Sequence, residues 1–141
     1  MSVRFFLDTS IFVYSFDPSS ATKAKTSTDL IRKAVATRKG IVSYQVVQEF
    51  FNVALRRFAQ PMTVAEAEQY LGTVFRPLLA VQSSQALYSE GLRLKDAHRL
   101  PWYDSLIVAA AQTYGLDSLA SRDDDFDRIP GLAVYKPTDL P

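Results

Sequence analysis

The sequence predicts a three-layer α/β/α domain built on a central, mainly parallel sheet. Across its 141 residues, short apolar segments alternate with longer segments of helical period, and cap or turn residues stand between them. Strands separated by helices in this order make right-handed βαβ units, whose sheet is covered by helices on both faces. Acidic residues also stand at the edges of the apolar segments, as they would at the ligand-binding edge of such a sheet.

Residues 3–7, Val-Arg-Phe-Phe-Leu, read as the first strand. Asp8-Thr9-Ser10 then supplies capping side chains for a short helix through Ile11, Phe12, Val13 and Tyr14. Asp17-Pro18-Ser19-Ser20 is turn chemistry. The polar stretch after it carries Leu30, Ile31, Ala34 and Val35 at helical spacing, which predicts an amphipathic helix ending near Gly40. Ile41-Val42 is a brief strand.

Ser43 is placed to cap a helix whose Val46, Val47, Phe50, Phe51, Ala54, Leu55 and Phe58 follow the i, i+3, i+4 rule, with Glu49 near its start. Pro61 interrupts the pattern, and Thr63-Val64-Ala65-Glu66 is a capping box opening a helix through Tyr70, Leu71, Val74 and Phe75. Residues 78–81 form a candidate strand. Ser83 or Ser84 then caps a helix through Leu87, Gly91 and Leu94 to about His98.

After Pro101, residues 102–114 are apolar around nearly the whole helical circumference, as in a central helix packed on both sides, with Gly115 placed to end it. Asp104 stands in its first turn. Residues 117–121 and 133–135 are the remaining strands, separated by the turn at Pro130-Gly131.

Composition narrows the chemistry. Apolar residues make up 48% and charged residues 22%, the balance of a folded domain. There is no cysteine and one histidine, His98, which excludes a disulfide framework, a thiolate zinc site, a thiol nucleophile and a multi-histidine cage. The N-terminal apolar stretch is too short for a signal-peptide core, so the chain is expected in the cytoplasm. A net charge of +1 does not mark a strongly basic nucleic-acid binder, yet it fits an acidic cleft with a more basic rim.

Asp8 and Asp123 follow predicted strands, and Glu49 and Asp104 lie in the first turns of helices. All four therefore belong at the carboxyl edge of the sheet. Carboxylates gathered there repel one another unless a cation joins them. With no sulfur or imidazole donor, the set suits Mg²⁺ or Mn²⁺ and the hydrolysis of a phosphodiester through activated water. A phosphomonoesterase is the second possibility for such a site.

Four motifs together resemble the PIN-domain family, most closely the VapC-type ribonuclease toxins of bacterial toxin-antitoxin pairs. They are Phe6-Leu7-Asp8-Thr9-Ser10, Ser43 followed by Glu49, Tyr103-Asp104-Ser105-Leu106-Ile107-Val108-Ala109-Ala110, and Ser121-Arg122-Asp123-Asp124-Asp125-Phe126. The resemblance spans essentially the whole chain and implies one nuclease domain over residues 1–141. It further implies a metal-dependent endoribonuclease with Asp8, Glu49, Asp104 and Asp123 as metal ligands and the hydroxyl of Ser10 or Ser121 in support. Ser121 stands where such proteins often carry threonine. A homodimer and a small antitoxin blocking the acidic cleft are implied as well.

Beside these readings stand simpler ones. Asp8 alone would more often be a helix cap, and Asp104 gains from the helix dipole with or without a metal. Asp125 could replace Asp123, contribute through water, or cap the turn at Phe126. Asp124 points to the opposite face of an extended segment and is expected in solvent. Arg122, between Ser121 and Asp123, is the candidate contact for a substrate phosphate. His98 is left out of the catalytic set, and Trp102 and Tyr103 are expected to pack although either could stack a base. The alternatives to a ribonuclease are a catalytically weak RNA- or protein-binding module and a haloacid-dehalogenase-type phosphatase. The last would need a second Asp at Ser10.

Overall fold

The computed structural model of the chain describes residues 4–115, 118–121, 126, 127, 129 and 132–135. Five strands, β1 (Phe5–Leu7), β2 (Gly40–Ser43), β3 (Leu79–Val81), β4 (Ser118–Ala120) and β5 (Ala133–Tyr135), form a sheet in the order β3-β2-β1-β4-β5. Every pairing is parallel. The helices are α1 (Thr9–Tyr14), α2 (Ala21–Thr37), α3 (Tyr44–Ala54), α4 (Val64–Tyr70), α5 (Arg76–Leu78), α6 (Gln85–His98) and α7 (Trp102–Thr113). The architecture is the α/β/α sandwich that the alternation of apolar segments predicts. No helix among the described residues is long and apolar enough to cross a membrane.

Central burial of α7 follows from its composition. Ser105 and every residue from Leu106 to Ala111 are buried, and Gly115 after it adopts φ +75°, a conformation open to glycine without a Cβ penalty. Beside α7, Gly91 of α6 leaves room for Leu106 and Trp102: a Cβ there would lie 2.9 Å from Leu106 Cδ2 and 3.4 Å from Trp102 Cζ3.

A second apolar centre is aromatic. Phe12 of α1, Phe16 just after it, Phe50 and Phe51 of α3, Phe58, Tyr70 and Phe75 meet edge to face, tilted or stacked, with Phe50 and Tyr70 rings 4.9 Å apart and 14° from parallel. Phe58 belongs to this centre although the helix expected to carry it stops at Ala54. The chain reverses there, and Phe58 folds back to 5.1 Å from Phe16.

Three further expectations change. The helix opened by the capping box, in which Thr63 Oγ1 accepts from Glu66 N and Glu66 Oε1 accepts from Thr63 N, widens into a π-helical turn over Leu71–Phe75. Pro77 lies just beyond; its ring cannot donate to the fourth carbonyl back and crowds it, which a wider turn relieves. Helix α2 ends at Thr37, with Arg38 at φ 58°, rather than near Gly40. Gly40 instead starts β2, where a Cβ would collide with Ala34 and lie 2.7 Å from Leu7 Cδ1.

Candidate functional site

From β1 the chain builds β2 and β3 on one side, then returns to build β4 and β5 on the other. Connections leaving β1 and β4 therefore diverge, the arrangement that in open parallel sheets leaves a ligand crevice outside the carboxyl ends of the strands. Asp8 and Ser121 are the first residues past those two strands. The register Phe6↔Leu119, Leu7↔Ala120 continues through a hydrogen bond from Asp8 N to Ala120 O at 2.9 Å.

Asp8 holds the cap position of α1 by backbone conformation, but its side chain caps nothing. Only 8% exposed, its carboxylate turns across the sheet edge: Oδ2 accepts from Ser121 Oγ at 2.8 Å and from Ser10 Oγ at 3.1 Å. The two hydroxyls are themselves 3.3 Å apart. A buried carboxylate without donors is costly, and two hydroxyls aimed at one oxygen fix its direction.

Glu49 lies in the second turn of α3 rather than the first, half-buried. Its Oε1 accepts from Thr9 Oγ1 at 2.9 Å and from Gln45 Nε2 at 3.2 Å. Burial pushes the carboxyl above the usual glutamate range; the bonds from Thr9 and Gln45 pull it back, and the negative charge of Asp8 pushes it up again. The two carboxylates thus sense one another across the crevice.

Gln45 ties in a third element. It is buried, and the same Nε2 donates to Tyr103 O at 3.0 Å, which fastens the start of α7 to the first turn of α3. Asp104 follows in the first turn of α7, half-buried, where the helix dipole favours its charge. Sequence reasoning passed over Gln45 and read Thr9 as capping chemistry. The signal available was spacing, since Gln45 stands four residues before Glu49 on one helical face.

Ser43 departs from expectation. It occupies the cap position of α3, yet its side chain caps no N–H, and its buried Oγ has no hydrogen-bond partner among the described residues. The register Phe6↔Ile41, continued by two residues, brings Ser43 level with Asp8. Trp102 packs toward Gly91 as expected, whereas Tyr103 is 60% exposed and does not.

Arg122, Asp123, Asp124 and Asp125 lie outside the described residues. Among the described residues no three acidic or histidine side chains stand close enough to hold an ion by themselves. The acidic donors at this edge are Asp8 and Glu49, and Asp104 follows Tyr103, whose carbonyl Gln45 holds. His98 lies away from this group in sequence, in the last turn of α6.

A family model described as PIN domain matches residues 5–132. No curated protein matches the chain. Among solved structures, a toxin-antitoxin complex from Klebsiella pneumoniae is 22% identical with a TM-score of 0.68, covering 99% of this chain and 100% of that one. A VapBC2 complex from Rickettsia felis, bound to a fragment of its promoter DNA, is 15% identical with a TM-score of 0.69, over 95% and 98% of the two chains. A sarcin-ricin-loop-cleaving VapC toxin of Mycobacterium tuberculosis is 20% identical with a TM-score of 0.65, over 87% and 92%. At these identities the likeness is one of fold.

Proposed function

The chain belongs to the PIN domain family, and from that membership we propose that it is a Mg²⁺- or Mn²⁺-dependent endoribonuclease, the toxin of a type II toxin-antitoxin pair. One observation carries the reading: Asp8 and Glu49, from different elements, are held by dedicated donors at the switch point of a parallel sheet, with Glu49 raised by burial and by the Asp8 charge. Carboxylates placed in this way suit a hard divalent cation.

The donor set fits such an ion. It consists of hard oxygens, and Mg²⁺ is ordinarily held by one or two carboxylates, with water and substrate phosphate completing its shell. Ser43 Oγ adds a buried donor at the same edge with no partner among the described residues. Asp8, Glu49, Asp104 and Asp123 are the proposed ligands. The ion, when bound, supplies an activated water and neutralises charge that develops on the phosphate.

The remaining work falls to the chain. Ser10 and Ser121 hold Asp8 Oδ2 toward the crevice, and Thr9 and Gln45 hold Glu49 Oε1. Carboxylates fixed in this way need no reorganisation as the reaction proceeds. Arg122 is the proposed phosphate contact, and Asp125 the proposed support to Asp123. The nearby solved structures include toxin-antitoxin complexes, which supports a small antitoxin as partner. Homodimerisation and a cytoplasmic location belong to the same proposal.

Purified protein incubated with RNA, with and without Mn²⁺, tests the reading. Cleavage that needs the metal and is lost in Asp8→Asn supports it. Metal-dependent RNA binding without cleavage would favour a binding module instead.

A further inference from the structure

Tyr103 is the most exposed tyrosine of the described residues, at 60%, and it directly precedes Asp104. Its backbone is not loose. Its carbonyl accepts the Gln45 amide that also holds Glu49, so the backbone from which the ring projects is set relative to that carboxylate by two hydrogen bonds, of 3.0 and 3.2 Å.

The surroundings of the ring are aromatic and polar together. Tyr44, first residue of α3, donates its hydroxyl to Tyr88 of α6 at 3.2 Å. Burial first, then the Tyr88 bond and the nearby Tyr88 and Tyr103 phenols, push the Tyr44 hydroxyl up to about 12. Tyr44 and Tyr88 thus meet between α3 and α6, and Gln45, the residue after Tyr44, holds the carbonyl of Tyr103 on α7. An exposed flat ring beside phenolic hydroxyls matches a nucleobase, which has a π face for stacking and polar edges. An apolar helix laid there would have to strip water from those hydroxyls without replacing its hydrogen bonds.

We propose that Tyr103 stacks an unpaired base of single-stranded RNA beside the linkage that is cut, and so positions the strand over Asp8 and Glu49. This rests on the ribonuclease reading above. A strand whose phosphate meets the carboxylates passes the start of α7, where Tyr103 is tethered to Glu49 through Gln45. Stacking on the ring tolerates any base but requires that the base be unpaired, which makes Tyr103 a selector of single-stranded over duplex RNA.

The test uses the full chain and a short fluorescein-labelled single-stranded RNA of mixed sequence, followed by binding and by cleavage kinetics. Tyr103→Ala is expected to weaken binding and raise KM by roughly tenfold, with a smaller effect on kcat, while Tyr103→Phe stays within about twofold of the parent. Replacing the nucleotide beside the cut by an abasic one should weaken the parent to the same degree and leave Tyr103→Ala no worse, as two changes to one contact require. Asp8-dependent cleavage with unchanged KM in Tyr103→Ala overturns this proposal alone. No binding and no cleavage by the parent protein overturns the ribonuclease reading with it. Loss of binding in Tyr103→Ala that accompanies a fall from dimer to monomer in sedimentation also overturns it, because the ring then seats a second copy of the chain.

Discussion

Ser121 and Asp8 are 113 residues apart in the chain and are joined by a hydrogen bond of 2.8 Å from Ser121 Oγ to Asp8 Oδ2. Strands β1 and β4 lie side by side, so the residues that follow them meet at the switch in strand order. Ser121 is fully buried, and its loss cannot be made good by bulk water. Ser121→Ala is expected to destabilise the fold by about 1–3 kcal/mol, the usual cost of leaving a buried polar group short of a partner. Ser121→Thr keeps the hydroxyl and should retain cleavage, with any loss confined to the added methyl. Chemical denaturation and a cleavage assay on both variants check this.

Glu49 makes the metal-free protein sensitive to pH in an unusual direction. Its folded carboxyl is raised, chiefly by burial, so the folded state holds the proton longer than the unfolded chain does. The resulting stability is fully present below the ordinary glutamate range, about pH 4, and is lost as pH rises through the raised folded value. Glu49→Gln should therefore raise the denaturation midpoint at neutral pH and match the parent at low pH. Added Mg²⁺ should reverse the order by stabilising the parent more.

Gln45 joins two parts of the site with one amide nitrogen. Gln45→Leu removes the donor to Glu49 and the donor to Tyr103 O together. A loss of about 1–3 kcal/mol in folding stability is expected. Without one of its two lowering bonds, Glu49 moves further up, so the acid limb of the pH-rate profile should shift to higher pH. An unchanged limb would detach Gln45 from the chemistry.

Gly40→Ala separates fold from site. The added Cβ would meet Ala34 and Leu7, both fully buried, and such overpacking typically costs about 1–3 kcal/mol. Thermal midpoint should fall while cleavage per folded molecule stays at the parent level, because the nearest atoms the new Cβ would meet belong to the core residues Ala34 and Leu7.

Features set by local chemistry were legible in the sequence. The capping box at Thr63 and Glu66, the uniformly apolar α7 with Asp104 in its first turn, and the short strand that ends just before Asp8 all follow from neighbours a few residues away. What escaped depends on contacts distant in the chain. Nothing near Thr9 shows that its hydroxyl meets Glu49 across 40 residues, or that Ser43 leaves α3 uncapped. The same limit explains Phe58: its apolar spacing suggested a longer α3, whereas ring contacts with Phe16 and Phe50 hold it after the helix has ended. Tyr103, expected to pack, is exposed, because aromatic character alone does not distinguish a core ring from a surface one.

Cleavage of RNA by Asp8→Asn beside the parent protein, at fixed Mn²⁺, is the most direct test of the central claim. The substitution keeps the size of the side chain and removes the charge at the oxygen that Ser10 and Ser121 hold. A fall in kcat of about a hundredfold or more, with the fold intact by circular dichroism, is the predicted result. Cleavage by the variant at the parent rate would contradict the account.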